Sequence, residues 1–163
     1  MIKLETSMGD IVIELDENAA PVTVKNFLEY VEAGHFDGTV FHRVIPDFMI
    51  QGGGFTAEMA RKETRSPIAN EAGNGLKNER GAIAMARTSD PNSATAQFFI
   101  NHADNSFLDY VDQSNPGYAV FGRTVEGMDV VDAIAAVETA SKMGMEDVPV
   151  EPVVIKSATV VTE

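Results

Sequence analysis

The chain opens on a strict alternation of apolar and polar positions. Ile2, Leu4 and Thr6 alternate with Lys3 and Glu5, and Ile11, Ile13 and Leu15 alternate with Val12 and Glu14. A period of two places each apolar set on one face of a strand. Met8-Gly9-Asp10 lies between the two runs, so a β-hairpin with a Gly/Asp turn is predicted. The period then changes. Pro21 is pre-set for a first helical turn, and Val24, Phe27, Leu28 and Val31 follow at i, i+3, i+4, i+7 as one apolar stripe. Glu29 and Glu32 fall outside the stripe, and Gly34 supplies a left-handed stop. This helix is expected to pack on a sheet and to carry no chemistry.

The next patterned stretch is Val40–Ile45, β-rich, followed by turn chemistry at Pro46-Asp47 and a second apolar run, Phe48–Gln51, before Gly52-Gly53-Gly54. Arg43 interrupts it, with Phe41, Val44, Ile45, Phe48 and Met49 close by. An arginine among apolar residues is costly unless its hydrogen bonds are accepted. Taken alone, its stem covers apolar surface and its head reaches solvent. Register sets its neighbours: a three-residue loop, Pro46–Phe48, would place Arg43 opposite Gln51 on one face, and a two-residue loop would turn Gln51 to the other face.

Thr56–Arg80 is polar and weakly periodic, and its length marks it as a functional or mobile connection. Its basic residues (Arg61, Lys62, Arg65, Lys77, Arg80) are expected on a solvated loop, with recruitment of acidic partners as a second reading. Gly81–Ala86, Gln97–Asn101 and Tyr118–Arg123 read as strands. Gly127–Val137 reads as a helix with Val130, Val131, Ile134 and Val137 on one side, Ala140–Pro149 as a loop, and Val153–Val161 as a terminal strand. Seven or eight short strands with two widely separated helices do not fit a doubly wound parallel sheet. A closed antiparallel barrel with helices over its open ends removes the exposed strand edges. No internal repeat or boundary divides residues 1–163, so one domain is expected.

Composition narrows the function classes. The chain has 163 residues, 44% hydrophobic and 23% charged, which suits one soluble core. A formal charge of −13 argues against nucleic-acid or anionic-membrane partners. The absence of cysteine excludes disulfides, thiolate metal sites and thiol nucleophiles. No apolar run approaches the roughly 20 residues of a membrane span. Met1 leads directly into strand residues without a basic and then apolar leader, so a cytoplasmic location is expected, and a monomer is the default expectation.

The three histidines, His35, His42 and His102, show no metal-binding spacing; each reads as structural, and neither metal nor cofactor is expected. His42 would point to the face opposite Arg43. There is no Gly-x-Ser-x-Gly elbow, no carboxylate in an apolar context, and no phosphate loop at Gly52–Gly54, where the glycines suit a tight bend or a close backbone approach. Any activity should therefore need neither covalent chemistry nor proton transfer.

At FHRVIPDFMIQGG the chain resembles the cyclophilin-type peptidyl-prolyl isomerases. The likeness continues in family order through GAIAMAR at Gly81–Arg87, SATAQFFIN at Ser93–Asn101, FLD at Phe107–Asp109 and YAVFGRTVEGMDVVD at Tyr118–Asp132. It covers essentially the whole chain and is similar to bacterial members, the cytoplasmic B-type isomerases among them. The resemblance implies a mainly β fold, an eight-stranded antiparallel barrel with a helix over each end and its site on the outer face. It implies catalysis of rotation about Xaa-Pro bonds in peptides and unfolded chains. By the same resemblance Arg43 is catalytic, and Phe48, Met49, Phe99 and Leu108 form the proline pocket. Gln51 orients the arginine, which favours the longer loop; Gln97 is a polar wall residue; and Ala86 and Arg87 offer backbone to an extended peptide. Phe107 stands where many eukaryotic members have tryptophan and Tyr118 where they have histidine, so weakened cyclosporin affinity is expected. Arg87 replaces a common asparagine, with little effect expected. The rival classes are a non-catalytic chaperone module that holds Xaa-Pro segments, which would not need Arg43, and a small-ligand carrier, which would need a hollow barrel.

Overall fold

A computed structural model describes residues 1–161. Eight strands close into an antiparallel barrel: β1 (Ile2–Thr6), β2 (Gly9–Leu15), β3 (Thr39–Ile45), β4 (Met49–Thr56), β5 (Ala82–Met85), β6 (Phe98–Asn101), β7 (Val120–Glu126) and β10 (Val154–Val160). They run around the barrel in the order β1-β10-β3-β4-β6-β5-β7-β2. Two helices, α1 (Pro21–Glu32) and α2 (Met128–Ala135), complete the core. The mainly β barrel expected from the pattern is the fold observed.

The alternation at the N-terminus does what its period dictates. Ile2, Leu4, Ile11 and Ile13 are fully buried on one face while Lys3 and Glu5 stay out. The turn differs from expectation: Thr6 pairs with Gly9, so Ser7-Met8 makes the loop and Gly9-Asp10 belong to the strand. Thr6 fixes this turn by accepting from the Met8 N–H at 3.1 Å and donating to the Gly9 carbonyl at 2.6 Å. In α1 the stripe of Val24, Phe27 and Val31 is buried, joined by Tyr30, and Gly34 stops the helix at φ 73°.

Phe27 meets Phe36, Phe98 and Phe121 at ring-centroid distances of 4.9, 5.6 and 5.1 Å, and Val131 and Ile134 of α2 enter the same cluster. The barrel is filled with aromatic side chains, which excludes a hollow carrier.

Three further expectations change. Ala140–Pro149 is not a loop: β8 (Thr139–Lys142) and β9 (Met145–Pro149) pair as a separate hairpin turning on Met143 and Gly144, both at positive φ. The Thr56–Arg80 connection has little regular structure but is tied down. Lys62 Nζ donates to the His35 carbonyl at 2.6 Å, Arg65 pairs with Glu29 at 2.7 Å, and Glu71 accepts from the Thr23 N–H at the start of α1. Lys62, Arg65 and Arg80 are thus engaged within the chain, while the exposed Arg61 and Lys77 side chains have no hydrogen bond or ion pair among the described residues. Gly52–Gly54 continue β4 instead of ending it.

Candidate active site

β3 and β4 pair with Ile45 opposite Met49 and Arg43 opposite Gln51, the three-residue register. Phe48 N–H donates to the Ile45 carbonyl at 3.2 Å, with Pro46 and Asp47 as the central turn residues and Asp47 at φ 61°. That positive φ at the second central position makes the turn type II, which Pro46 at the first position favours.

The strand does not alternate simply. Phe41 pairs with Gly52 and Arg43 with Gln51, so His42 is an extra residue, a β-bulge. The bulge separates the two neighbours. His42 is buried against the Phe55 ring at 4.6 Å, and Arg43 is exposed. Burial, helped by the adjacent Arg43 charge, pushes the His42 imidazole down to about 4. Arg43 is thus not an arginine trapped among apolar residues. Its guanidinium carbon stands 6.0 Å from the centre of the Phe48 ring.

Beside it, a second apolar cluster lies outside the filled interior. Met49, Phe99, Val120 and the small residues Ala82, Ala84 and Ala86 form it, with Phe48, Leu108 and Tyr118 packed at its margin. A cleft of about 130 Å³ opens there. A void of about 150 Å³ takes benzene, so a five-membered pyrrolidine ring matches this one in size. Arg43 and Gln51 edge the cleft, Met49, Phe99 and Leu108 supply apolar wall, and among the described residues no carboxylate lines it.

Of the residues expected at the site, all but Gln97 and Phe107 line the cleft directly. Gln97 sits behind Gln51, accepting from Gln51 Nε2 at 3.0 Å. Gln51 therefore holds Gln97, and among the described residues no hydrogen bond joins it to Arg43. Gly54 makes room for this pair: a Cβ there would fall 2.5 Å from the Gln97 amide nitrogen. Phe107 stands on the rim, 72% exposed, its ring stacked on Phe48 at 5.7 Å. Arg87 does more than offer backbone. Its guanidinium lies 4.4 Å over the Tyr118 ring and donates to the Gly117 carbonyl at 2.8 Å and to Thr88 O at 2.9 Å. Ala86 N–H already donates to Gln97 O at 3.0 Å, whereas the Arg87 N–H and carbonyl have no partner among the described residues.

What holds the apolar walls was not visible in the sequence. Asn78, Asn101 and Asn105 are buried and chained: Asn101 donates to Asn78 at 3.0 Å and Asn105 to Asn101 at 2.8 Å. The ends of this chain reach both walls. Asn105 Nδ2 donates to the Phe48 carbonyl at 2.8 Å, and Asn78 Nδ2 to the Leu108 carbonyl at 3.2 Å. The only prior signal was asparagine next to strand residues, which also reads as turn chemistry.

The barrel is packed inside and carries an arginine-edged, ring-sized apolar cleft on its outside. Residues 1–160 match the family described as cyclophilin type peptidyl-prolyl cis-trans isomerase/CLD. The chain is 62% identical over 159 residues to the peptidyl-prolyl cis-trans isomerase cyp18 of Streptomyces antibioticus, covering 96% of each. It is 55% identical over 162 residues to peptidyl-prolyl cis-trans isomerase B of Escherichia coli K12, covering 98% of this chain and 99% of that one. Its fold matches a Cryptosporidium parvum cyclophilin-type isomerase solved in the presence of the dipeptide Ala-Pro, at TM-score 0.79 and 26% identity over 99% of each chain. The chain belongs to the cyclophilin-type peptidyl-prolyl cis-trans isomerase family.

Proposed function

We propose that this protein catalyses cis-trans rotation about Xaa-Pro bonds in peptides and unfolded chains, with Arg43 as the catalytic group. The observation that carries this reading is the placement of a solvent-reaching guanidinium, free of hydrogen bonds among the described residues, at the edge of a cleft sized for a proline ring.

The barrier is about 20 kcal/mol because rotation breaks amide conjugation. As the bond twists, the proline nitrogen loses its share of that conjugation and regains a lone pair. A donor aimed at the lone pair or at the carbonyl oxygen stabilises the twisted state more than the planar one, with no bond made or broken. Arginine suits this work, since it stays charged and offers several planar donors. Met49, Phe99 and Leu108 grip the ring, and the unpaired Arg87 backbone groups receive the extended chain as an added strand. Gln51, braced by Gln97, contributes an amide at the opposite edge of the arginine's strand pair.

The test is magnetisation exchange between cis and trans signals of an Ala-Pro tetrapeptide in the presence of wild-type protein. Accelerated exchange supports the enzyme. Shifted peptide signals with unchanged exchange would leave a proline-holding chaperone module instead. The rim supports a finer reading: Phe107 lacks an indole N–H, so cyclosporin binds weakly, and Phe107→Trp tightens it by about tenfold, one added hydrogen bond and ring contact. Equal affinity of the two proteins in a direct titration would refute this.

A further inference from the structure

We propose that His102 is a positioning residue for the proline seat, set in place by α2 through Asp132. This rests on the isomerase reading above. The turn that carries Phe48 is held from outside its own hairpin. Asp47 N–H donates to His102 Nδ1 at 2.8 Å, and His102 N–H donates back to the Phe48 carbonyl at 2.9 Å. An Nδ1 that accepts must lack a proton, so the ring's hydrogen sits on Nε2, which lies 2.9 Å from Asp132 Oδ1. Asp132 is itself fixed: Arg80 Nη2 stands 2.8 Å away and holds its carboxyl below the usual range, with a smaller contribution from His102. Arg80 also donates from Nη1 to the His102 carbonyl at 2.9 Å and from its backbone N–H to Asp104 at 2.8 Å.

The line of contact therefore runs from α2 to the catalytic hairpin: Arg80 and Asp132, then His102, then the Asp47–Phe48 peptide. A carboxylate behind the ring selects the tautomer whose other nitrogen can accept. The acceptor pins the turn at Asp47, whose φ of 61° is left-handed, a region aspartate tolerates better than most residues but less freely than glycine. Phe48 packs at the margin of the cleft and touches bound proline in ground and twisted states alike. Loosening it should weaken binding of both equally, which raises KM and spares kcat.

The experiment compares wild type, His102→Leu, His102→Asn and Asp132→Ala on an Ala-Pro peptide, reading kcat, KM and thermal midpoint, with imidazole 15N shifts of wild type. His102→Leu should raise KM about fivefold with kcat nearly unchanged, the size of one lost hydrogen bond. His102→Asn, whose amide oxygen can accept from Asp47 N–H, should recover most of that loss, and Asp132→Ala should fall between them. The 15N shifts should show the proton on Nε2. An unchanged KM in His102→Leu, an asparagine variant no better than leucine, or a proton on Nδ1 would overturn the proposal. If His102→Leu does not fold, the Asp132→Ala and His102→Asn pair decides. If wild type binds peptide without turnover, the functional reading fails, while peptide Kd in the same variants still tests the positioning role.

Discussion

The inside and the outside of this barrel are built from the same strands, and they solve opposite problems. Phe98 faces in and Phe99 out; Ile50 faces in, Met49 and Gln51 out; Ile83 faces in, Ala82 and Ala84 out; Phe121 faces in and Val120 out. The inward set is large and aromatic and leaves no room. The outward set is thinned by three alanines, so that Phe48, Leu108 and Tyr118 on flanking segments stand around a space instead of filling it. A period-two strand lets one sequence specify both without conflict. Stability then belongs mostly to one face and recognition to the other.

Substitutions can separate the two faces. Phe98→Ala should cost about 3–5 kcal/mol of stability, the usual loss for a buried phenylalanine, and leave the activity of the folded fraction intact. Its chain neighbour Phe99→Ala should cost less stability, since its ring borders a void already, but raise KM. Denaturant melts with kinetics on both variants would check this. If Phe99→Ala proved the more destabilising, the two faces would not divide the work as described.

The bulge between the faces brings pH dependence. His42 titrates at 6.5 when unfolded and about 4 when folded. Below 6.5 the unfolded chain therefore takes up a proton that the folded protein does not. Stability is fully present above 6.5 and falls as pH drops toward about 4, by roughly 3 kcal/mol for this one group. His35, lowered mainly by burial, acts in the same direction. Urea midpoints at pH 7 and pH 4.5 should show the drop, and His42→Leu should flatten part of it. An unchanged slope in that variant would mean the buried imidazole is not its source.

Gly54→Ala should have the smallest effect. Its methyl would displace Gln97 and break the Gln51–Gln97 pair, lowering kcat/KM a few-fold with little change in melting. No change in kcat/KM would show that the brace behind Gln51 is dispensable.

What could be read beforehand follows the same division. Alternation gave β1 and β2, and the 3.6 period gave α1 and α2, because burial on one face enforces periodicity. The residues of the cleft came from a resemblance carried by long motifs; periodicity alone would have put Phe99 and Leu108 in the core. Three features escaped for physical reasons. The bulge at His42 depends on pairing with β4, which the sequence of β3 does not record. The β8–β9 hairpin has a polar, largely exposed β8, buries only Val148 and Pro149 of β9, and turns on Met143-Gly144 instead of an Asn-Gly pair. The supports of the cleft are hydrogen bonds between segments distant in the chain, such as Asn78 to Leu108 and His102 to Asp47, and local pattern carries no trace of them.

The central claim is that one guanidinium on the outer face performs the catalysis. It is tested by exchange rates of an Xaa-Pro peptide with wild type, Arg43→Ala and Arg43→Lys, alongside their thermal midpoints. Loss of a preorganised donor of this kind costs about 10²–10³-fold, and an exposed side chain contributes little to folding. The account predicts a collapse of exchange in the alanine variant, partial recovery at best with lysine, and melting unchanged in both. Exchange that persists in folded Arg43→Ala protein would contradict it and move catalysis to the apolar cleft itself.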